Sequence, residues 1–66
     1  MVKKLNKIRV VLAEQDKNNK WLAEKLGKGE ATVSKWTTNK SQPTLSNLID
    51  IAKALNVKVG DLIRQE

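Results

Sequence analysis

Positive charge is the chemistry this sequence offers in quantity. Its 66 residues carry thirteen Lys and Arg against seven Asp and Glu, for a net charge of +6, and contain neither histidine nor cysteine. Without those two residue types there is no imidazole general base, no thiolate nucleophile and no soft metal ligand. No catalytic residue, metal site or cofactor is therefore expected. The charge is unevenly placed: residues 1–40 hold ten Lys/Arg and four Asp/Glu, whereas residues 41–66 hold three of each. A cationic N-terminal half favours a polyanion as partner, although a solubilising surface would look the same by charge alone. Trp21 and Trp36 are the only aromatic residues. A basic surface without stacking rings argues against a platform for single-stranded RNA or DNA.

Apolar spacing supplies the elements that must position this charge. Leu5, Ile8, Val11 and Leu12 recur at helical intervals and predict a first helix from about Val2 to Gln15. A polar turn, Asp16 to Asn19, follows, with Asn18 as N-cap of a second helix over Asn19–Leu26 that carries Leu22, Ala23 and Leu26 on one face. Gly27 ends it, because only glycine turns left-handed without a Cβ penalty. Lys28 and Gly29 lead into a third helix, 30–37, burying Val33 and Trp36 and closed by a left-handed Asn39. Pro43 holds the chain extended, and Thr44 caps a fourth helix with Leu45, Leu48, Ile49, Ala52 and Leu55 at helical spacing, ended by Asn56. Val57, Val59, Leu62 and Ile63 predict a fifth short helix. Val10 and Ile51 fall at the edge of their apolar stripes, where a dimer surface is one use for them. There is no strand alternation, repeat or low-complexity tract, so the expected fold is all-α, five short helices in one domain spanning 1–66. No run approaches the ~20 apolar residues of a membrane span, and the N-terminus lacks the apolar run of a signal peptide. A soluble, cytoplasmic protein is expected.

Two short helices joined by a glycine-containing turn are the requirement of a helix-turn-helix. Here the spacing is Leu22-Ala23-x2-Leu26-Gly27-x5-Val33-x2-Trp36, placing the motif at about 19–38. Ala23 lies where the two helices cross and a larger side chain would hold them apart. The apolar residues anchor the pair and leave the start of the third helix exposed. On its own the same spacing also suits any small helical hairpin.

The stretch from Asn19 to Leu62 resembles the phage repressor/Cro-like helix-turn-helix family, also called the XRE family. The resemblance is carried by WLAEKLG (Trp21–Gly27), TVSKW (Thr32–Trp36), QPTLSNLIDIAKALNV (Gln42–Val57) and VGDLI (Val59–Ile63), without a gap, and the first helix fits at lower similarity. It implies a lambda-repressor-like domain whose recognition helix, 30–37, puts its first turn into the major groove while the preceding helix lies across the phosphates. By position it implies base-edge contacts from Glu30, Ala31, Thr32 and Lys35. It implies phosphate contacts from Asn19 and from Thr38, Asn39 and Lys40. Lys20 and Lys28, flanking the turn, add electrostatic attraction or are plain surface. Lys35 suits guanine O6/N7 or a phosphate, Thr32 a hydrogen bond or a thymine methyl, and Glu30 cytosine N4. Glu30 equally suits the first turn of any helix, where the dipole favours a carboxylate. Ala31 is small enough to permit close approach.

Four positions depart from the family pattern. Asn19 stands where Gln is common, one methylene shorter. Lys28 stands where the turn is usually apolar, so one core contact is missing or is made by the lysine stem. Leu12 and Thr37 occupy the positions of a partly buried Arg–Glu pair, and the two charges are absent together, as they must be if neither is to be stranded. Trp21 points away from its helix's apolar face, and covering the loop between the first two helices suits it better than a sugar-phosphate contact or a partner chain. The expected function is sequence-specific double-stranded DNA binding as a homodimer, at least on DNA, by a transcriptional regulator with repression as the leading form. No small-molecule ligand or membrane is implied. The alternative is a protein-interaction module, such as an antitoxin or accessory subunit, on the same fold.

Overall fold

The computed structural model describes residues 4–64. Four helices follow one another, α1 (Ile8–Glu14), α2 (Asn19–Leu26), α3 (Glu30–Thr37) and α4 (Leu45–Leu55), and a single 3₁₀ turn spans Val59–Leu62. No described helix is long and apolar enough to cross a membrane.

All four helices stop by the same device. Asp16, Gly27, Asn39 and Asn56 have φ of 57°, 65°, 62° and 55°. Each left-handed residue turns the next N–H back onto the helix: Lys17 to the Leu12 carbonyl, Lys28 to Ala23, Lys40 to Lys35 and Val57 to Ala52, at 2.8 to 2.9 Å. These bonds satisfy carbonyls that a helix end would otherwise leave open. Gly27, Asn39 and Asn56 match the sequence expectation, and Asp16 adds a fourth. Starts are also as expected for α2 and α4: Asn18 accepts the Trp21 N–H at 2.9 Å and Thr44 the Asn47 N–H at 3.2 Å.

Ile8, Val11, Leu12, Leu22, Ala23, Val33, Trp36, Ile51, Ala52, Leu55 and Leu62 form one buried cluster. The fourth helix is rotated from the orientation its sequence suggested. Ile51, placed at the stripe edge, is fully buried, whereas Leu45 is 68% and Ile49 39% exposed. Ile51, Ala52 and Leu55 make a tighter i, i+1, i+4 stripe, with Leu48 half-buried beside it, and this stripe faces α2 and the 3₁₀ turn. Leu45 and Ile49 are left on the flank.

Two further expectations are corrected at the chain's ends. The first helix begins at Ile8, not near Val2; residues 2–3 of the expected span lie outside the described residues, and residues 4–7 are not helical. The fifth helix is only a 3₁₀ turn, with Val57 outside it. One cause accounts for both. Asn6 and Ile63 pair as an antiparallel β-bridge, flanked by hydrogen bonds from the Lys7 N–H to the Leu62 carbonyl and from the Arg64 N–H to the Leu5 carbonyl, each 2.9 Å. Extended backbone at both ends satisfies groups that either helix would have used, so local helical spacing gives way to a long-range pairing.

Candidate nucleic-acid interface

The interface is built on α2 and α3, which pack closely on each other through the buried Leu22, Ala23, Val33 and Trp36. Burying that side of α3 leaves the other free: Glu30, Ala31, Thr32 and Lys35 are all exposed. Ala31 and Lys35 lie on the side of the helix opposite Val33 and Trp36, with Glu30 and Thr32 on its two flanks. No side chain caps the start of α3, where Gly29 is the N-cap. The N–H groups of its first turn therefore lack a side-chain partner.

Beside this face runs an open cleft of about 580 Å³ lined from three helices. Asn19 and Lys20 enter it from the start of α2, Glu30 from the start of α3 and Thr38 from the end of α3. Leu12 and Thr37 lie on its wall, so the two departures from the expected ion pair do face a common space. The cleft also contains Arg9 and Lys17, which the sequence reading did not single out. The helical wheel puts Arg9 on the polar flank of α1, four residues before Ala13, but that this flank faces the cleft follows only from how the helices pack. Three cations against one carboxylate give the cleft a positive field.

Lys17, Lys28 and Lys40 owe their places to the helix stops, since each is the residue after a left-handed terminator. Lys28 and Lys40 are exposed. The Lys17 ammonium lies 4.1 Å from the centroid of the Trp21 ring and 3.4 Å from Gln15 Oε1. Trp21 is thus half-buried against the core with the α1–α2 loop over its face. That is the loop-covering position expected for it.

Asn39 stands apart from the other expected phosphate contacts. Its side chain is directed inward: Oδ1 accepts the N–H groups of Leu5 and Asn6, both at 2.9 Å, and Nδ2 donates to the Asn6 carbonyl at 3.2 Å. Thr38, its neighbour, is exposed, with its hydroxyl donating to the Ser34 carbonyl at 2.8 Å. The loop after α3 therefore offers Thr38 and Lys40 outward, while the Asn39 amide is committed to the interior.

The geometry has counterparts among known proteins. Residues 7–66 match the family model for the Cro/C1-type HTH DNA-binding domain. A crystal structure from Bacteroides fragilis, of a protein described as a candidate DNA-binding protein, superposes with a TM-score of 0.88 at 53% identity, covering 91% of this chain and 97% of that one. No curated protein matches the sequence. Matched over nearly its whole length, with an exposed helix start beside a cationic cleft, the chain belongs to the Cro/C1-type helix-turn-helix DNA-binding family, also called XRE.

Proposed function

We propose that this domain reads specific duplex DNA sites with the exposed face of α3, as a homodimer on DNA, and acts as a transcriptional regulator of the repressor type. The observation that carries the reading is the adjacency of two surfaces: the open first turn of α3 and the cationic cleft formed with α1 and α2. A helix inserted in the major groove needs small or hydrogen-bonding residues at its leading end, and Glu30, Ala31, Thr32 and Lys35 meet that need. Phosphates flanking the groove need cations and N–H or O–H donors to either side. Asn19, Lys20, Lys28, Thr38 and Lys40 supply them, and Arg9 and Lys17 extend the set along α1 and the following loop.

Selection from a pool of random duplexes tests this reading. A recovered palindromic consensus is the expected result, since two copies related by a two-fold axis read inverted half-sites. Failure to retain any duplex at low salt would sink it.

The exposed pair Leu45 and Ile49, one turn apart on α4, favours a second reading, a protein-interaction module on the same fold. Cross-linking in lysate with and without nuclease separates the two. Protein contacts that persist after nuclease treatment favour the module.

A further inference from the structure

The loop after α3 is tied to the N-terminal segment by a buried amide network, and each bond in it is well formed. Besides accepting from Leu5 and Asn6, Asn39 Oδ1 accepts from Gln42 Nε2 at 3.1 Å. Asn6 Nδ2 donates both to the Trp36 carbonyl, at 2.9 Å, and to Gln42 Oε1, at 2.7 Å. Asn6 is 3% exposed and the Trp36 carbonyl belongs to the last turn of α3. Segments thirty or more residues apart in sequence are thereby locked together. The lock grips the stretch that carries Thr38 and Lys40 toward solvent.

Resting on the DNA-binding reading above, we propose that Asn6, Asn39 and Gln42 form a clasp that positions the end of α3 and the Lys40 loop for backbone contact on DNA. Residues 4–7 are then a working part of the binding surface, although none of them reads a base. The physical reason is preorganisation. Lys40 has a long flexible side chain on a loop, and fixing its backbone removes ordering that binding would otherwise have to supply. Asn39 serves twice, by adopting the left-handed turn that ends the helix and by holding the turn to the N-terminal segment. Glycine would perform the first task and not the second.

That difference makes Asn39→Gly the decisive variant, because it keeps the turn and deletes the amide. Affinity for random duplex is measured for the unaltered chain, Asn39→Gly, Lys40→Ala and the double variant, well below the melting temperature of each by circular dichroism. One lost phosphate contact corresponds to roughly tenfold in affinity near 0.1 M salt and flattens the salt slope by about one unit. If Asn39→Gly acts by misplacing Lys40, each single variant loses about that much, and the double variant also loses roughly tenfold. A hundredfold loss in the double variant, or an unaffected Asn39→Gly, overturns the clasp as a positioning device and leaves it a stabilising contact. Should Asn39→Gly fail to fold, Gln42→Ala, at an exposed position bonded to both asparagines, decides by the same cycle. Absence of binding by the unaltered chain would fail the DNA-binding reading itself, and the clasp with it.

Discussion

Leu12 of α1 and Thr37 at the end of α3 line one cleft, and both are nearly inaccessible, at 2% and 5% exposure. The Thr37 hydroxyl donates to the Ser34 carbonyl at 3.2 Å, so the pair brings no charge and no unmet donor to the wall. Thr37→Glu places a carboxylate against an aliphatic side chain and is expected to destabilise by about 1–3 kcal/mol. Adding Leu12→Arg should recover at least ~0.5 kcal/mol through a charge pair across the cleft. Urea melts of the two single variants and the double variant measure the coupling. Zero coupling means the two side chains do not meet.

A contrast within α4 tests its orientation. Ile51 is fully buried and Ile49 is 39% exposed. Ile51→Ala should cost about 2–5 kcal/mol through lost burial and a residual cavity. Ile49→Ala should cost about 0.5 kcal/mol or less. In a chain this short the first loss is a large part of total stability, so its denaturant midpoint should fall steeply while that of Ile49→Ala barely moves. Equal losses would mean that the helix is rotated from this orientation.

Gly27 and Gly60 separate backbone strain from space. A Cβ at either meets no atom within 4 Å, but Gly27 alone of the two has a left-handed φ, +65°. Gly27→Ala should therefore destabilise by about 1–2 kcal/mol, all of it from the Cβ crowding the adjacent backbone carbonyl and none from the surrounding fold. Gly60→Ala should be neutral or stabilising by up to ~1 kcal/mol, because it restricts the unfolded chain. Thermal unfolding of the two variants checks the ordering.

On DNA, affinity and specificity should divide between different residues. With ~4–6 phosphate contacts for each bound chain, each chain should contribute roughly −4 to −5 to the slope of log K against log salt, and a bound dimer about twice that. Thr32→Ala or Lys35→Ala should weaken the best site by ~1–3 kcal/mol and relax preference at one position in each half-site. Lys40→Ala should weaken all duplexes alike and flatten the slope by about one unit. Repeating the selection with each variant is the check. An unchanged consensus for both α3 variants removes α3 from the role of base reader.

The local features of this domain were legible because they depend on neighbours in sequence. Gly27, Asn39 and Asn56 end helices through their own backbone preference, and Asn18 and Thr44 start them by reaching an N–H three residues on. The periodicity of Leu22, Ala23, Val33 and Trp36 likewise dictates which face of the helix-turn-helix is buried, and with it which face remains exposed. Four helices and an exposed α3 start follow from such short-range terms.

Tertiary structure alone decided the rest, where two segments distant in sequence compete with a local preference. Leu5 has helical spacing with Ile8 and Leu12, yet its N–H is taken by Asn39 and its carbonyl by Arg64, so the segment is extended. Asn39 has the composition of an exposed loop residue, yet the amides of Leu5 and Asn6 draw its side chain inside. Ile51 and Ile49 are chemically identical, and the choice of which to bury depended on where α2 and the 3₁₀ turn came to rest. Arg9 and Lys17 belong to the cleft only because α1 and α3 converge beside the start of α2. Residue type and spacing specify a helix and its apolar side; which polar groups meet across the fold depends on pairings that close loops of thirty residues or more, and no local pattern encodes them.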